Sequence, residues 1–342
     1  VKLKVLWLSH LVPYPPRSGV AQRSYGLLRE VARSHNVTLM AFHQPELMKI
    51  MSRDPERELT EAVRHLASVC SRVAVFDLPS ESSKLARYAM ALRSLVRRYP
   101  YTINWVESRE YSRALEGEAS RGHDLVHFDT ISLAEYRRHF RHVPRVMNHH
   151  NIESHLLERR AAKASSWPAR AYLRQEATRL RRYERDTARA FQAHVTCSDL
   201  DAERLRNICG ELPIRVVPNG VDLDYFTRAA PIAPPQPTFA FVGTLGWGPN
   251  KDAAEMLATN VWPAIAAQWP EATLHLVGSR PPPAASAVAA ADSRFTVTGF
   301  VEDVRAYLSD ASFFLCPIRD GGGTKLKILN AMAMGSVVIA DP

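Results

Sequence analysis

Val216-Val217-Pro218-Asn219-Gly220-Val221-Asp222-Leu223-Asp224-Tyr225-Phe226 decides how this chain is organised. An apolar pair ends a strand, and Pro-Asn-Gly then forces a tight turn. Proline fixes φ, asparagine tolerates left-handed geometry, and glycine takes positive φ at little cost. Alone, the stretch is a well-made turn. Strand-like and helix-like segments alternate on both sides of it, so it reads as a hinge between two α/β halves.

Upstream, strands are expected at 5–9, 37–43, 72–77, 124–128, 145–148, 193–197 and 214–217. Helices are expected at 20–34, 55–69 and 83–98, with a strongly basic helical stretch at 154–190 that is interrupted at Trp167-Pro168. Downstream, 229–237 holds Pro231, Pro234, Pro235 and Pro237 and reads as a linker. Strands follow at 239–242, 273–277, 295–298, 313–315 and 337–339, with helices from Asp252 and at 324–334. Pro281-Pro282-Pro283 reads as a break. Such alternation is the signature of parallel sheets flanked by helices. The expected domains are 1–212 and 213–342.

At 342 residues the chain suits two domains rather than one core. Its net charge of +9 favours anionic partners: a nucleotide diphosphate, an anionic lipid surface or nucleic acid. The four cysteines show no CxxC and no regular spacing, which disfavours a zinc site or a disulfide scaffold and fits a reducing cytoplasm. No apolar run approaches the ~18 to 20 residues of a membrane span. The start at Val1, and the stop at Pro342 just after an apolar strand, raise the expectation of a longer protein with an incomplete second domain.

In open parallel sheets, ligands bind at the carboxyl ends of the strands, so the residues just after each strand are the candidates. Pro13 to Gly19 is either a stiff surface loop or a site where Gly19 lets a phosphate or sugar approach a helix N-terminus. His149-His150-Asn151-Ile152-Glu153 is either a polar loop or a functional one; no His or Cys spacing elsewhere supports a metal. Gly243, Gly246 and Gly248 fall within six residues at a strand-to-helix switch and permit close approach of a diphosphate. The match to GxGxxG or a P-loop is poor. Lys251 there reaches a phosphate or is merely solvated. Gly321-Gly322-Gly323 opens a helix, so free N–H groups and the helix dipole face whatever sits there, with Thr324 and Lys325 adding a hydroxyl and a charge. The basic stretch 154–190 is either a solvated face with pairs to Glu158, Glu176, Glu184 and Asp186, or a contact for anionic lipid. Nucleic acid is disfavoured, because no recognition motif accompanies the charge.

The hinge and the segment 319–335 resemble glycosyltransferase family 4, retaining transferases of the GT-B fold, and the likeness runs from Lys4 to Ala340. The resemblance implies two Rossmann-like domains facing each other across a cleft. It implies a nucleotide-diphosphate sugar bound to the C-terminal domain and a glycan, lipid-linked or small-molecule acceptor bound to the N-terminal one. Transfer of a hexose would retain configuration by front-face attack, with no metal and no cofactor beyond the donor. His150 and Glu153 match a His-x-x-Glu whose histidine lies beside the donor sugar, with Lys325 as the second catalytic candidate. Gly19-x-x-x-Arg23 matches a glycine-bearing loop that meets acceptor or phosphate. Gly243, Thr244, Lys251, Gly321, Gly322, Gly323, Thr324 and Asn330 fall on the donor-binding motifs. Thr244 stands where many members carry Arg, and Gly322 and Asn330 replace the two glutamates of E-x7-E. Asn330 can still accept from ribose hydroxyls, but without charge, so weaker donor binding is expected. A role in polysaccharide biosynthesis, in the cytoplasm and at the inner face of a membrane, is the further expectation. The alternatives are a nucleotide-sugar binding protein with a decayed donor site, or a GT-B epimerase.

Overall fold

The computed structural model describes residues 1–228, 236–319 and 325–341. The chain divides into two compact units whose boundary lies between Asn219 and Gly220.

The first unit is built on a parallel sheet of seven strands: β1 Lys4–Ser9, β2 Asn36–His43, β3 Arg72–Asp77, β4 Leu125–Phe128, β5 Arg145–His149, β6 Ala193–Thr196 and β7 Ile214–Val216. They lie in the order β3-β2-β1-β4-β5-β6-β7. Strand β1 is central, with Trp7 in register with Leu39 on one side and His127 on the other. Residues Val5 to Ser9 are all buried, as expected of a strand covered on both faces. Leu6, Leu8, Phe42, Tyr111 and Phe128 pack on one face, and Val5, Trp7, Leu28 and Leu39 on the other. The strand order reverses between β1 and β4, which opens a crevice at their carboxyl ends.

Helix boundaries follow their caps. Ser18 Oγ accepts from Ala21 N–H to start helix Gly19–Ser34, and Asp54 and Ser198 do the same for Pro55–Val69 and Asp199–Cys209.

The second unit repeats the plan with β8 Thr238–Val242, β9 Thr273–Val277, β10 Phe295–Val297, β11 Phe313–Cys316 and β12 Val337–Ala340, in the order β10-β9-β8-β11-β12. Phe241, Leu274, Leu276, Phe314, Leu257 and Trp262 share its core. Its switch point lies between β8 and β11.

Two expectations change. Strand β7 bonds to β6, so residues 213–219 belong to the first unit and the boundary moves from 212/213 to 219/220. The triple proline starts a helix, Pro283–Ala291, because proline is tolerated in a first turn whose N–H groups have no intrahelical partner. The 3-10 segment Ile131–His139 and helix Arg109–Ala119 were not foreseen. Most of the expected linker, 229–235, lies outside the described residues. Among the described residues no helix is long and apolar enough to cross a membrane.

Candidate functional site

Asp129 follows β4 at the switch point of the first sheet and is fully buried. Its carboxylate accepts a short hydrogen bond from Ser24 Oγ, one from Asn148 Nδ2 at 3.1 Å and one from Ser9 Oγ at 3.4 Å. His150 Nε2 lies 3.3 Å and His127 Nε2 3.8 Å from Asp129 Oδ1. Burial alone would raise this carboxyl. Attraction to His150, and to a lesser degree to His127, outweighs it and holds the group well below the usual carboxylate range. His10 completes the cluster, its ring 6.0 Å from that of His150. Burial pushes His10 down to about 4 although Asp129 opposes it, so it is neutral at neutral pH.

The two adjacent histidines face opposite ways. His150 turns to Asp129, whereas His149 Nε2 lies 3.0 Å from His194 Nδ1 in the core. Nε2 of His194 is 3.0 Å from the Ala188 carbonyl and must donate to it. In the neutral ring Nδ1 is then the acceptor, and His149 donates to it. Burial, then His194, lowers His149 far below its ordinary value. His149 is therefore a structural group.

Arg23 does not reach outward to a phosphate. It is 6% exposed, and Nη1 donates to the Val217 carbonyl at 2.8 Å and to Asn219 Oδ1 at 2.9 Å, while Nη2 donates to Asn148 Oδ1 at 3.1 Å. It braces the start of the hinge sequence instead. Gly19 is the exposed first residue of its helix. Glu153 opens helix Glu153–Lys163, where burial raises its carboxyl against the pull of Arg160 and His150.

In the second unit the site forms around Gly243, at the end of β8. A Cβ there would lie 2.7 Å from both Asn250 Nδ2 and Lys327 Nζ. Gly278, at φ +147°, is tighter: its Cβ would fall 1.7 Å from the Gly243 carbonyl oxygen. Lys327, on helix Leu326–Ala333, donates to Asn250 Oδ1 at 2.6 Å and sits 4.6 Å from the Phe241 ring centroid. Asn250 is fixed in turn by donating to the Thr244 carbonyl at 3.0 Å. Burial lowers the Lys327 ammonium to about 8; Cys316 opposes this and Lys325 adds to it. Among the described residues no carboxylate pairs with Lys327. A half-buried cation with one neutral acceptor and one ring beside it favours an anionic ligand.

Lys251, expected at a phosphate, is half-exposed and lies 3.7 Å from Glu255 one helical turn on. Lys325 occupies the N-cap position of helix Leu326–Ala333, and Asn330 is buried within that helix. Gly321, Gly322, Gly323 and Thr324 lie outside the described residues. The basic stretch forms helices Glu153–Lys163 and Trp167–Ala188, where Arg179, Arg181 and Arg185 pair with Glu176, Glu158 and Asp186. All four cysteines are buried and none is in a disulfide. Among the described residues no three His, Cys, Asp or Glu side chains converge as metal ligands.

Sequence reading missed Asp129, Ser24, Asn250 and Lys327. Asp129 was open to the same strand-end rule that selected His150. Lys327 is a lone cation inside Leu326-Lys327-Ile328-Leu329, an apolar run where a lysine needs a reason.

Comparison with known proteins follows the two units. The family described as Glycosyltransferase Family 4 matches residues 17–225, and Glycosyl transferases group 1 matches 236–342. No curated protein sequence matches the chain. Among solved structures, HepE of Anabaena in complex with UDP and glucose is similar at a TM-score of 0.59 and 12% identity, over 99% of this chain and 80% of that one. The N-terminal domain of trehalose-6-phosphate phosphatase from Candida albicans gives 0.61 at 12% identity, over 99% and 82%. A putative UDP-N-acetylglucosamine 2-epimerase from Listeria monocytogenes gives 0.56 at 11%, over 99% and 79%. At such identities the likeness is one of fold.

Proposed function

The chain belongs to glycosyltransferase family 4, with the two Rossmann-like domains of the GT-B fold, and on that footing we propose that it transfers a hexose from a nucleoside-diphosphate sugar with retention of configuration and without a metal. The observation that carries this reading is the ammonium of Lys327 beside Gly243. A glycine-cleared strand end with a half-buried cation suits a diphosphate, whose charge grows as the sugar leaves. The HepE complex with UDP and glucose makes UDP-glucose the first donor to test.

His150 serves as the polar group toward a hydroxyl of the reacting sugar, with Asp129 fixing its ring. Asp129 itself is enclosed by donors and is not the nucleophile. Front-face attack, in which the leaving phosphate takes the acceptor proton, is therefore favoured over a covalent intermediate. The acceptor is a glycan or lipid-linked sugar held by the first unit, and polysaccharide assembly is the setting we favour.

Incubation of the protein with UDP-glucose and other nucleotide sugars, with and without oligosaccharide or polyprenyl-linked acceptors, tests this. Acceptor-dependent release of nucleoside diphosphate, with an axial product linkage from an axial donor, is expected. Inversion would overturn the retaining mechanism. An epimerised sugar would favour the second reading, which the fold of the Listeria protein keeps open. Binding without turnover would favour a decayed donor site.

A further inference from the structure

Helix Lys84–Val96 is amphipathic in the wrong direction for a helix of a water-soluble surface. Its sequence places Leu85, Tyr88, Leu92, Leu95 and Val96 on one face, by the spacing of three and four residues. That face is turned out: Leu85 is 79% exposed, Tyr88 70%, Leu92 68%, Leu95 38% and Val96 89%. The opposite, docked side carries Ala86, Arg87, Met90 and Ala91, all half-buried, and Ser94. Ser94 is fully buried, its hydroxyl accepting from Asn104 Nδ2 at 3.1 Å and its carbonyl from Arg179 Nη1 at 2.6 Å. Arg179 Nη2 also donates to the carbonyls of Arg97 and Tyr99, clamping the end of the helix. The helix is therefore held at its carboxyl end by these hydrogen bonds and along its docked side by small side chains and Met90, while most of its large apolar side chains face away.

Charge decides what covers such a face. From residue 84 to residue 98 the sequence contains Arg87, Arg93, Arg97 and Arg98 and not one Asp or Glu. Arg93 and Arg98 are exposed, and Arg98 stands over the Tyr99 ring at 5.4 Å. Arg97 pairs with Glu107. An apolar strip flanked by arginines matches the acyl boundary and anionic headgroups of a bilayer surface. The basic stretch 154–190 shows no comparable apolar face: Trp167 is its one exposed large apolar side chain, and Arg179, Arg181 and Arg185 pair with Glu176, Glu158 and Asp186.

We propose that helix Lys84–Val96 lies on an anionic membrane surface, with Leu85, Tyr88, Leu92 and Val96 in the acyl boundary and Arg93 and Arg98 among the headgroup phosphates. This binding does not depend on the transfer reaction and is tested apart from it. The protein is sedimented with vesicles of phosphatidylcholine alone, or mixed with phosphatidylglycerol. Binding is expected to the mixed vesicles and to weaken as salt is raised. Leu92→Asp and Val96→Asp should each reduce it by ~10-fold or more, and Arg98→Gln by roughly five-fold. Because these side chains are exposed, their melting temperatures should stay at the wild-type value. Should one aspartate variant fail to fold, Tyr88→Ser provides the same readout. Arg182→Glu, on the paired basic helix, should bind as the wild type does. The proposal is overturned if wild-type protein ignores the anionic vesicles, or if the aspartate variants bind undiminished. It is equally overturned if the protein self-associates through this face, seen as a dimer that Leu92→Asp converts to monomer.

Discussion

Lys327 Nζ stands 2.7 Å from the point where a side chain on Gly243 would begin, so the lysine occupies the space that the glycine vacates. The two come from the end of β8 and from a helix some eighty residues later, and Asn250 holds the lysine in place. Their pairing makes the carboxyl end of the second sheet a charged site.

Lys327 should make diphosphate binding pH-dependent. In the free protein its pKa is lowered to about 8, so it begins to lose its proton near that pH. A bound anion favours the charged form, so binding takes up a proton and affinity falls as pH rises through 8. Folding runs the other way: between pH 8 and the ordinary lysine value the unfolded chain holds more protons, so stability rises with pH. Calorimetric titration with UDP in buffers of different ionisation heat should show the uptake, and Lys327→Met should abolish it. Lys251→Met should leave it unchanged.

The two glycines should respond differently. Gly278→Ala places a methyl group into the Gly243 carbonyl at an unfavourable φ and should lower the melting temperature severely, a loss of several kcal/mol or more being expected for such overpacking with strain. Gly243→Ala meets the ends of the Asn250 and Lys327 side chains, which can shift. Its folding loss should be smaller and its loss of UDP affinity larger. Equal effects in both assays would contradict the assignment.

His150→Ala should lower kcat by ~10² with donor Kd changed only a few-fold, if its contact strengthens in the transition state. His149→Ala should instead act on stability, because it breaks the buried bond to His194. Kinetics and thermal melts of both variants check the split. A matching loss of kcat in both would remove His150 from the chemistry.

Glu184 accepts from the Ser154 N–H at 3.2 Å and from the Ser154 hydroxyl at the start of helix Glu153–Lys163, and burial pushes its carboxyl up to about 7. The folded state therefore holds a proton that the unfolded state releases near the ordinary glutamate value. Between there and pH 7, this group makes stability fall as pH rises. Glu184→Gln keeps an acceptor and removes the titration. Denaturant melts at pH 5 and pH 8 (chosen about the value of 7) should show a smaller difference for the variant.

Legibility followed the range of the interactions. Strand β3 and the helix from Pro55 were readable because alternation and caps are local in sequence. His150 and Gly243 were readable as strand-end residues. The bracing role of Arg23 was not readable, because its partners lie 125 to 196 residues away. Lys327 was passed over for Lys325 and Lys251, since only the packed helix shows which of the three faces Gly243. The outward face of helix Lys84–Val96 was equally hidden: amphipathic spacing shows that a helix has two faces, not which one the fold will cover.

The clamp from Arg23 to the Val217 carbonyl also bears on the order of events during synthesis. A side chain made among the first thirty residues waits for an acceptor 194 positions later. Without that acceptor and Asn219, Arg23 would keep only its bond to Asn148. The first unit is therefore closed by its own last residues, and a chain that stopped before Val217 would leave Arg23 without two of its three acceptors. Contacts of such long separation slow the search for the native state, and this one ties the start of the first helix to the end of the last strand of its own unit.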